Sequence, residues 1–379
     1  MSHASTQHLK NRHRRVREAL AARSLDVLVV TSLPNILYLT NFNGSAAIVV
    51  LTADRLLFIT DFRYVAAMSD TQGTPFACPD LDLVVVEGAY DSTLAATLTS
   101  LPATRAGFEA AHLTVARHDW LTRTLSTAQP TPRLVATDGI VEHARITKDD
   151  YELSLLKDAA RRLSGVATRV FERVRRGRTE REIALDIDWQ IRAAGFERSA
   201  FDTIVASGPN SALPHARPTE RTLTEGDLVV LDFGGVYDSY CVDLTRTVSV
   251  GKASSRAREI HAAVLLAHDR AIAACWPGQS RFAIDGAARQ SLDEAGMADA
   301  FGHGTGHGLG IEVHEDPRIA RRRGEMDADD EAVSADMVFT IEPGAYFAGF
   351  GGVRIEDDVA VTANGVELLT DVTTELLEI

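Results

Sequence analysis

The chain has 379 residues, with 39 Lys+Arg against 53 Asp+Glu, a formal charge of −14 and 45% hydrophobic residues. Such a length exceeds what one hydrophobic core usually serves, so two domains are expected, and 24% charged residues beside ordinary apolar content mark a folded, soluble protein. The acid surplus argues against nucleic acid and anionic membrane as partners, because both need concentrated basic charge, and leaves a large, acidic, globular enzyme.

In chain order, the N-terminus is basic at Arg12, Arg14, Arg15 and Arg17, but Glu18 and Asp26 interrupt any apolar leader segment. Leu9, Val16 and Leu20 among charges read as an amphipathic helix. No apolar run approaches the ~20 residues of a membrane span. Cys78, Cys241 and Cys275 are odd in number and widely spaced, which fits a reducing compartment and a cytoplasmic location. Strands are expected over 26–31, 46–51, 55–60, 83–86 and 105–108, and helices over 62–71 and 113–126. This alternation suggests an α/β domain with helices on a sheet; with no GxGxxG after the first strand, it is not a dinucleotide site.

Pro130 and Pro132 mark a loop. A long helix is then expected over 149–175, its stripe formed by Leu153, Leu156, Ala160 and Leu163, and the domain boundary falls just before it, near Arg145. A helix over 179–194 ends at Gly195 as a C′ glycine. Strands follow over 203–207, 228–234 and 239–250, helices over 255–275 and 281–295, and strands over 337–342 and 353–361. Without βαβ regularity, this second domain reads as α+β.

Asp232 lies in LVVLDFGG (228–235) and Asp243 in YCVDLTRT (240–247). Their midpoint falls between Tyr237 and Asp238, so a hairpin there sets the two acids directly opposite each other. Glu342 and Glu356 repeat the construction around Gly349, with a turn at 348–352. Facing carboxylates destabilise a sheet and call for a compensating cation. The bland alternative gives each acid its own salt bridge or a solvated strand end. His303 and His307, in FGHGTGHGLG (301–310), are either ligands approached closely by glycine backbone or surface histidines of a loop. HExxH is absent, since His314 begins HEDPR. Four carboxylates and one histidine suit two hard or borderline divalent ions, whose charge they balance.

These motifs resemble the pita-bread metallopeptidases, the family of creatinase, aminopeptidase P, prolidase and methionine aminopeptidase. The resemblance covers nearly the whole chain and is nearest to short bacterial Xaa-Pro aminopeptidases and Xaa-Pro dipeptidases. It implies an α+β chain in which a C-terminal pita-bread catalytic domain (146–379) follows a smaller α/β creatinase-type N-terminal domain (1–145). TNFNGS (40–45) and ITDFRY (59–64) point to the short bacterial members. By resemblance, Asp232, Asp243, His307, Glu342 and Glu356 hold the metals, Mn²⁺ first with Zn²⁺ or Co²⁺ as alternatives, and no other cofactor is implied. His215, in LPHARP (213–218), matches a histidine beside the substrate. His314 matches one that hydrogen-bonds the tetrahedral intermediate or leaving group, and His303 a further active-site histidine. Arg354 matches an arginine beside the metal glutamate. Glu342 serves as both ligand and acid/base.

The implied reaction is hydrolysis of an N-terminal Xaa-Pro bond by a metal-bridged hydroxide. The partner is a peptide with proline at its second position, and the expected assembly is a homodimer. A prolidase confined to dipeptides is the alternative, and a non-catalytic peptide-binding module is a distant one. On the residues alone, His215 reads equally as a surface histidine and Arg354 as a partner of Glu356. Cys241 reads as a small buried hydrophobe and Arg321–Arg323, flanked by Glu325, as a solvated cluster, while Tyr346 carries no assigned role.

Overall fold

The computed structural model describes residues 3–127, 131–322, 324 and 332–379. Pro130, Arg323 and Glu325 therefore lie outside the described residues. The chain divides into two compact units, 1–145 and 146–379.

In the first unit, strands β1 (Val27–Val30), β2 (Ile48–Thr52), β3 (Leu56–Thr60), β4 (Leu81–Val85), β5 (Arg105–Glu109) and β6 (Arg133–Thr137) form one sheet in the order β4-β3-β2-β1-β5-β6. β1, β2 and β3 are buried along their whole length, which explains their unbroken apolar runs. One sheet face packs Val27, Val29, Val50 and Ile59 against Leu94 and Leu98 of α4 (Tyr90–Ser100) and Leu121 of α5 (Val115–Leu125). The amphipathic N-terminal segment is α1 (Thr6–Ala22), with Leu9, Val16 and Leu20 buried. Helices α2 (Leu33–Thr40), α3 (Phe62–Asp70) and α6 (Ile140–Ile146) complete the unit. Of these elements, α2, α4, α6 and β6 were not anticipated from sequence.

The second unit begins with α7 (Asp150–Phe171) and α8 (Glu180–Ala193), each opened by a capping box, Asp149 with Glu152 and Thr179 with Glu182. Gly195 follows α8 at φ +93°, as the C′ reading requires. Both helices pack on a sheet of β7 (Arg198–Ser199), β8 (Ile204–Ser207), β9 (Leu228–Tyr237) and β10 (Tyr240–Ser249). Helices α9 (Ser255–Ala273) and α10 (Arg281–Glu294) pack on a second sheet. It contains β11 (Gly306–Gly308), β12 (Glu315–Ile319), β13 (Val338–Ile341), β16 (Asp357–Thr362) and β17 (Gly365–Leu368). Between β13 and β16, β14 (Gly344–Phe347) pairs with β15 (Gly351–Arg354).

The first acid hairpin differs from expectation by one residue. Asp238 and Ser239 take φ of 44° and 68°, the left-handed pair of a two-residue turn, and Tyr237 pairs with Tyr240. Moving the turn centre by one residue sets Asp232 opposite Thr245 and Asp243 opposite Gly234. The aspartates are therefore diagonal neighbours rather than a facing pair, although they keep one face because the shift across the ladder is even. The second hairpin does turn about Gly349: Phe347 pairs with Gly351, Gly344 with Arg354 and Ile341 with Asp357. Glu342 and Glu356 fall where its ladder breaks, and the strand expected over 353–361 divides there into β15 and β16.

Candidate metal centre

The site lies where the two sheets of the second unit meet. β10 supplies the edge of one: the Asp243 amide donates to Asp358 Oδ2 at 3.0 Å and the Glu356 amide to the Thr245 carbonyl at 3.1 Å. Thr245 Oγ1 donates to Glu356 Oε2 at 2.5 Å. These contacts bring Asp232 and Asp243 of the first sheet up to His307, Glu342 and Glu356 of the second.

His307 stands on β11, squeezed between β12 and β13. A Cβ on Gly306 would lie 1.8 Å from the Thr340 carbonyl oxygen, and one on Gly308 would lie 2.1 Å from that of Asp316. The glycines thus let three backbones close around the imidazole, and of the two readings of His307 the surface-loop alternative does not hold: the residue is buried in a strand. Asp285 of α10 accepts the Thr305 amide and hydroxyl at 3.2 and 2.8 Å, and the Thr305 carbonyl accepts the Glu342 amide at 2.7 Å. One helix carboxylate thereby steadies the approach to both His307 and Glu342.

Ligand atoms of Asp243, His307 and Glu356 lie within 4.8 Å of one another, and Glu342 Oε1 is 3.6 Å from His307 Nε2. The His307 Nδ1–H donates to the Gly308 carbonyl at 3.1 Å, so the Nε2 lone pair is left for a ligand. Burial lowers the imidazole pKa to about 3, helped by His314, and keeps it neutral. Burial raises the carboxyls of Asp243 and Glu356 well above the ordinary range, with the repulsion of their acidic neighbours adding to it, and pushes Glu342 up to about 7. Asp232 is held by the Arg354 guanidinium. Several buried acids facing one guanidinium are unfavourable without further positive charge. An oxygen-rich set with one imidazole whose other nitrogen is already fixed fits divalent metal ions.

Asp232, Asp243, His307, Glu342, Glu356, His215, His303, His314 and Arg354 all line one cavity of about 920 Å³. The His314 ring lies against His307 with centroids 4.3 Å apart, and burial lowers its pKa, with Arg318 and His215 adding to the effect. His215 is exposed at the cavity wall, so its two sequence-level readings meet in one place. The His303 Nδ1–H donates to the Gly304 carbonyl at 2.8 Å, which leaves Nε2 to accept from Tyr346 Oη–H at 2.9 Å. Tyr346 Oη accepts in turn from Arg354 Nη1 at 2.8 Å. Burial, then Arg354, lowers His303 to about 4. Arg354 therefore pairs with Asp232 and Tyr346 rather than with Glu356, the partner its place in the sequence had offered. Tyr346 is the side chain that sequence reasoning passed over. Gly344 pairs with Arg354 and Tyr346 is two residues on, so the register alone puts both side chains on one face. Cys241 is buried and its thiol is pushed up to about 12 by that burial, an inert packing group.

Residues 154–363 match Metallopeptidase family M24 and residues 12–147 match the Creatinase/Prolidase N-terminal domain. The uncharacterized peptidase YqhT of Bacillus subtilis is 35% identical over 363 residues, 96% of this chain and 98% of that one. A solved Xaa-Pro dipeptidase from Bacillus anthracis superposes with TM-score 0.91 at 34% identity, covering 98% of this chain and 100% of that chain. A solved X-Pro aminopeptidase from Thermotoga maritima superposes with TM-score 0.84 at 31% identity, covering 94% and 98%. Among the described residues, no helix is long and apolar enough to cross a membrane.

Proposed function

The chain belongs to metallopeptidase family M24, and from that premise we propose that it hydrolyses the Xaa-Pro bond at the amino terminus of peptides, in the manner of an aminopeptidase P. The observation that carries this reading is the convergence of four carboxylates, three histidines besides His307, and Arg354 on one cavity. Asp232, Asp243, His307, Glu342 and Glu356 would hold two divalent ions, Mn²⁺ by preference. When bound, such ions supply Lewis acidity toward the scissile carbonyl and lower the pKa of water.

The protein's own groups do the rest. Glu342 lines the cavity beside His307 and would act as both metal ligand and proton shuttle. His314 and His215 stand on the cavity wall to hydrogen-bond the carbonyl oxygen as it gains charge. His303 is committed to Gly304 and Tyr346, so it holds the wall rather than moving a proton. Arg354 orients Asp232 and Tyr346 together. The bond before proline has no N–H, so a site that grips the carbonyl and protonates the departing ring nitrogen suits it.

A cavity of about 920 Å³ is at the upper end of what ligand pockets occupy, leaving room for residues beyond proline. A second reading, a dipeptidase, is favoured by Arg217 and Arg318, which line the same cavity and could take a free carboxylate. Comparing turnover of Xaa-Pro with Xaa-Pro-Yaa peptides separates the two. The metal assignment is tested by Asp243→Ala, expected to lose bound metal by elemental analysis and activity with it; Mn²⁺-dependent turnover surviving in that variant would overturn the assignment. Homodimerisation belongs to the same reading and is checked by sedimentation.

A further inference from the structure

His215 reaches the cavity on the segment that leaves β8 at Ser207 and runs through Pro214, His215 and Arg217. Both ends of that segment converge on one carboxylate. Glu180 Oε1 accepts the Ser207 amide and hydroxyl, each at 2.7 Å, and Asn210 Nδ2 at 3.0 Å. Glu180 Oε2 accepts the Thr219 amide at 3.0 Å and the Thr219 hydroxyl at 2.6 Å. Glu180 is fully buried although it occupies the first position of α8, where an acid ordinarily stays in water. It is not needed as a cap, because Thr179 and Glu182 already close the capping box. Its charge is satisfied by donors of the segment rather than by a salt bridge, and it lines no part of the cavity.

Nearer the tip, the segment is tied to the hairpin that carries Arg354. Ser211 Oγ accepts the Gly352 amide at 2.9 Å, and the Pro214 carbonyl accepts Arg354 Nη1 at 3.2 Å. At the base, Ser207 pairs with Val229 in the β8–β9 ladder and the Thr219 carbonyl accepts the Arg181 amide at 3.1 Å. To these anchors the Glu180 carboxylate adds a direct side-chain link between residues 207 and 219.

We infer that Glu180 is a positioning residue of this site: its buried carboxylate clamps the two ends of the 207–219 segment and so fixes His215 and Arg217 against the substrate. The inference rests on the proposed Xaa-Pro peptidase activity for its kinetic consequence but not for its structural one.

The test uses the full-length, metal-loaded protein and the variants Glu180→Gln and His215→Ala, alone and combined. Glutamine keeps the shape but turns an NH₂ toward the segment's donors. In Glu180→Gln, hydrogen exchange should accelerate at amides within 207–219 and not across β13 or β16, with metal content unchanged. kcat/KM should fall by ~100-fold, the scale of a misplaced catalytic contact. In the His215→Ala background the same substitution should cost less than ~5-fold, because the two act as one unit. A Glu180→Gln loss of equal size in both backgrounds, or unchanged exchange in the segment, overturns the inference. Should Glu180→Gln not fold, Asn210→Ala removes one arm of the clamp and is read by the same exchange and kinetic criteria. A wild-type enzyme that cleaves no Xaa-Pro peptide sinks the proposed function, while the exchange comparison still decides whether the clamp exists.

Discussion

The carboxyl of Glu342 is pulled in opposite directions: burial pushes it up to about 7, Asp232 adds to that push, and Arg354 works against it. Its neighbours Asp243 and Glu356 are pushed the same way. Without metal, the folded chain therefore holds protons that the unfolded chain has released, across the interval from the ordinary Glu value of 4.5 up to about 7. The sign follows from linkage: the stability contributed by protonated Glu342 is present below 4.5 and is lost as pH rises through about 7. Metal ligation needs the ionised form, so loading must expel those protons. Titrating Mn²⁺ into chelator-treated protein at about pH 6, in buffers of different ionisation enthalpy, should show release of at least one proton per protein. A heat of binding independent of buffer would contradict this. The four candidate carboxylates stand out in the sequence because acids inside apolar strands violate the local pattern. Tyr346, Thr245 and Asp358 could not, because a hydroxyl or a further acid becomes part of the centre only once it is known which strands touch.

At the scale of elements, β11 is the narrowest part of the design. It has three residues, two of them glycines whose missing side chains let Thr340 and Asp316 approach. Gly306→Ala must push β11 away from β13 and carry His307 with it. The expected outcome is a loss of ~3 kcal/mol or more, at the upper end of overpacking penalties, together with lost metal. Gly302→Ala, where nothing lies within 4 Å of the added methyl, should leave both melting temperature and metal content unchanged. Equal behaviour of the two variants in thermal melts would refute the account. β8, β9, β10 and β13 were legible as elements because acids and β-branched runs mark them, whereas β11, β12 and β14, short and interrupted by glycine or proline, were not anticipated. The misplaced β9–β10 turn shows the limit, since a left-handed pair at Asp238 and Ser239 is a backbone property that pattern symmetry does not specify. In the first unit, α4 escaped notice because it carries Ser92, Thr93, Thr97 and Thr99 and begins at Ala89 without a side-chain cap. Only its packing of Leu94 and Leu98 on the sheet makes it a helix. β6 was missed for the converse reason, being a half-exposed edge strand with no continuous apolar run.

For the whole molecule, the formal charge of −14 counts every acid as ionised and no metal as bound. Two divalent ions would bring it to about −10, yet the raised carboxyls mean that the metal-free protein partly neutralises itself with protons instead. The charge difference between the two forms must then depend on pH. Near pH 8.5, above the raised Glu342 value of about 7, more of the centre is ionised when metal is removed, and the chelated protein should migrate measurably faster toward the anode. At about pH 6 protons replace the missing ions and the mobilities should draw together. Stability should follow the same course, with chelation lowering the melting temperature more at the higher pH, because there the buried acids face one another with only Arg354 between them. Capillary electrophoresis and thermal melts of the same two samples measure both effects. Mobilities that differ equally at the two pH values would mean that the carboxyls are ionised throughout, and the proton-for-metal exchange at Glu342 would have to be abandoned.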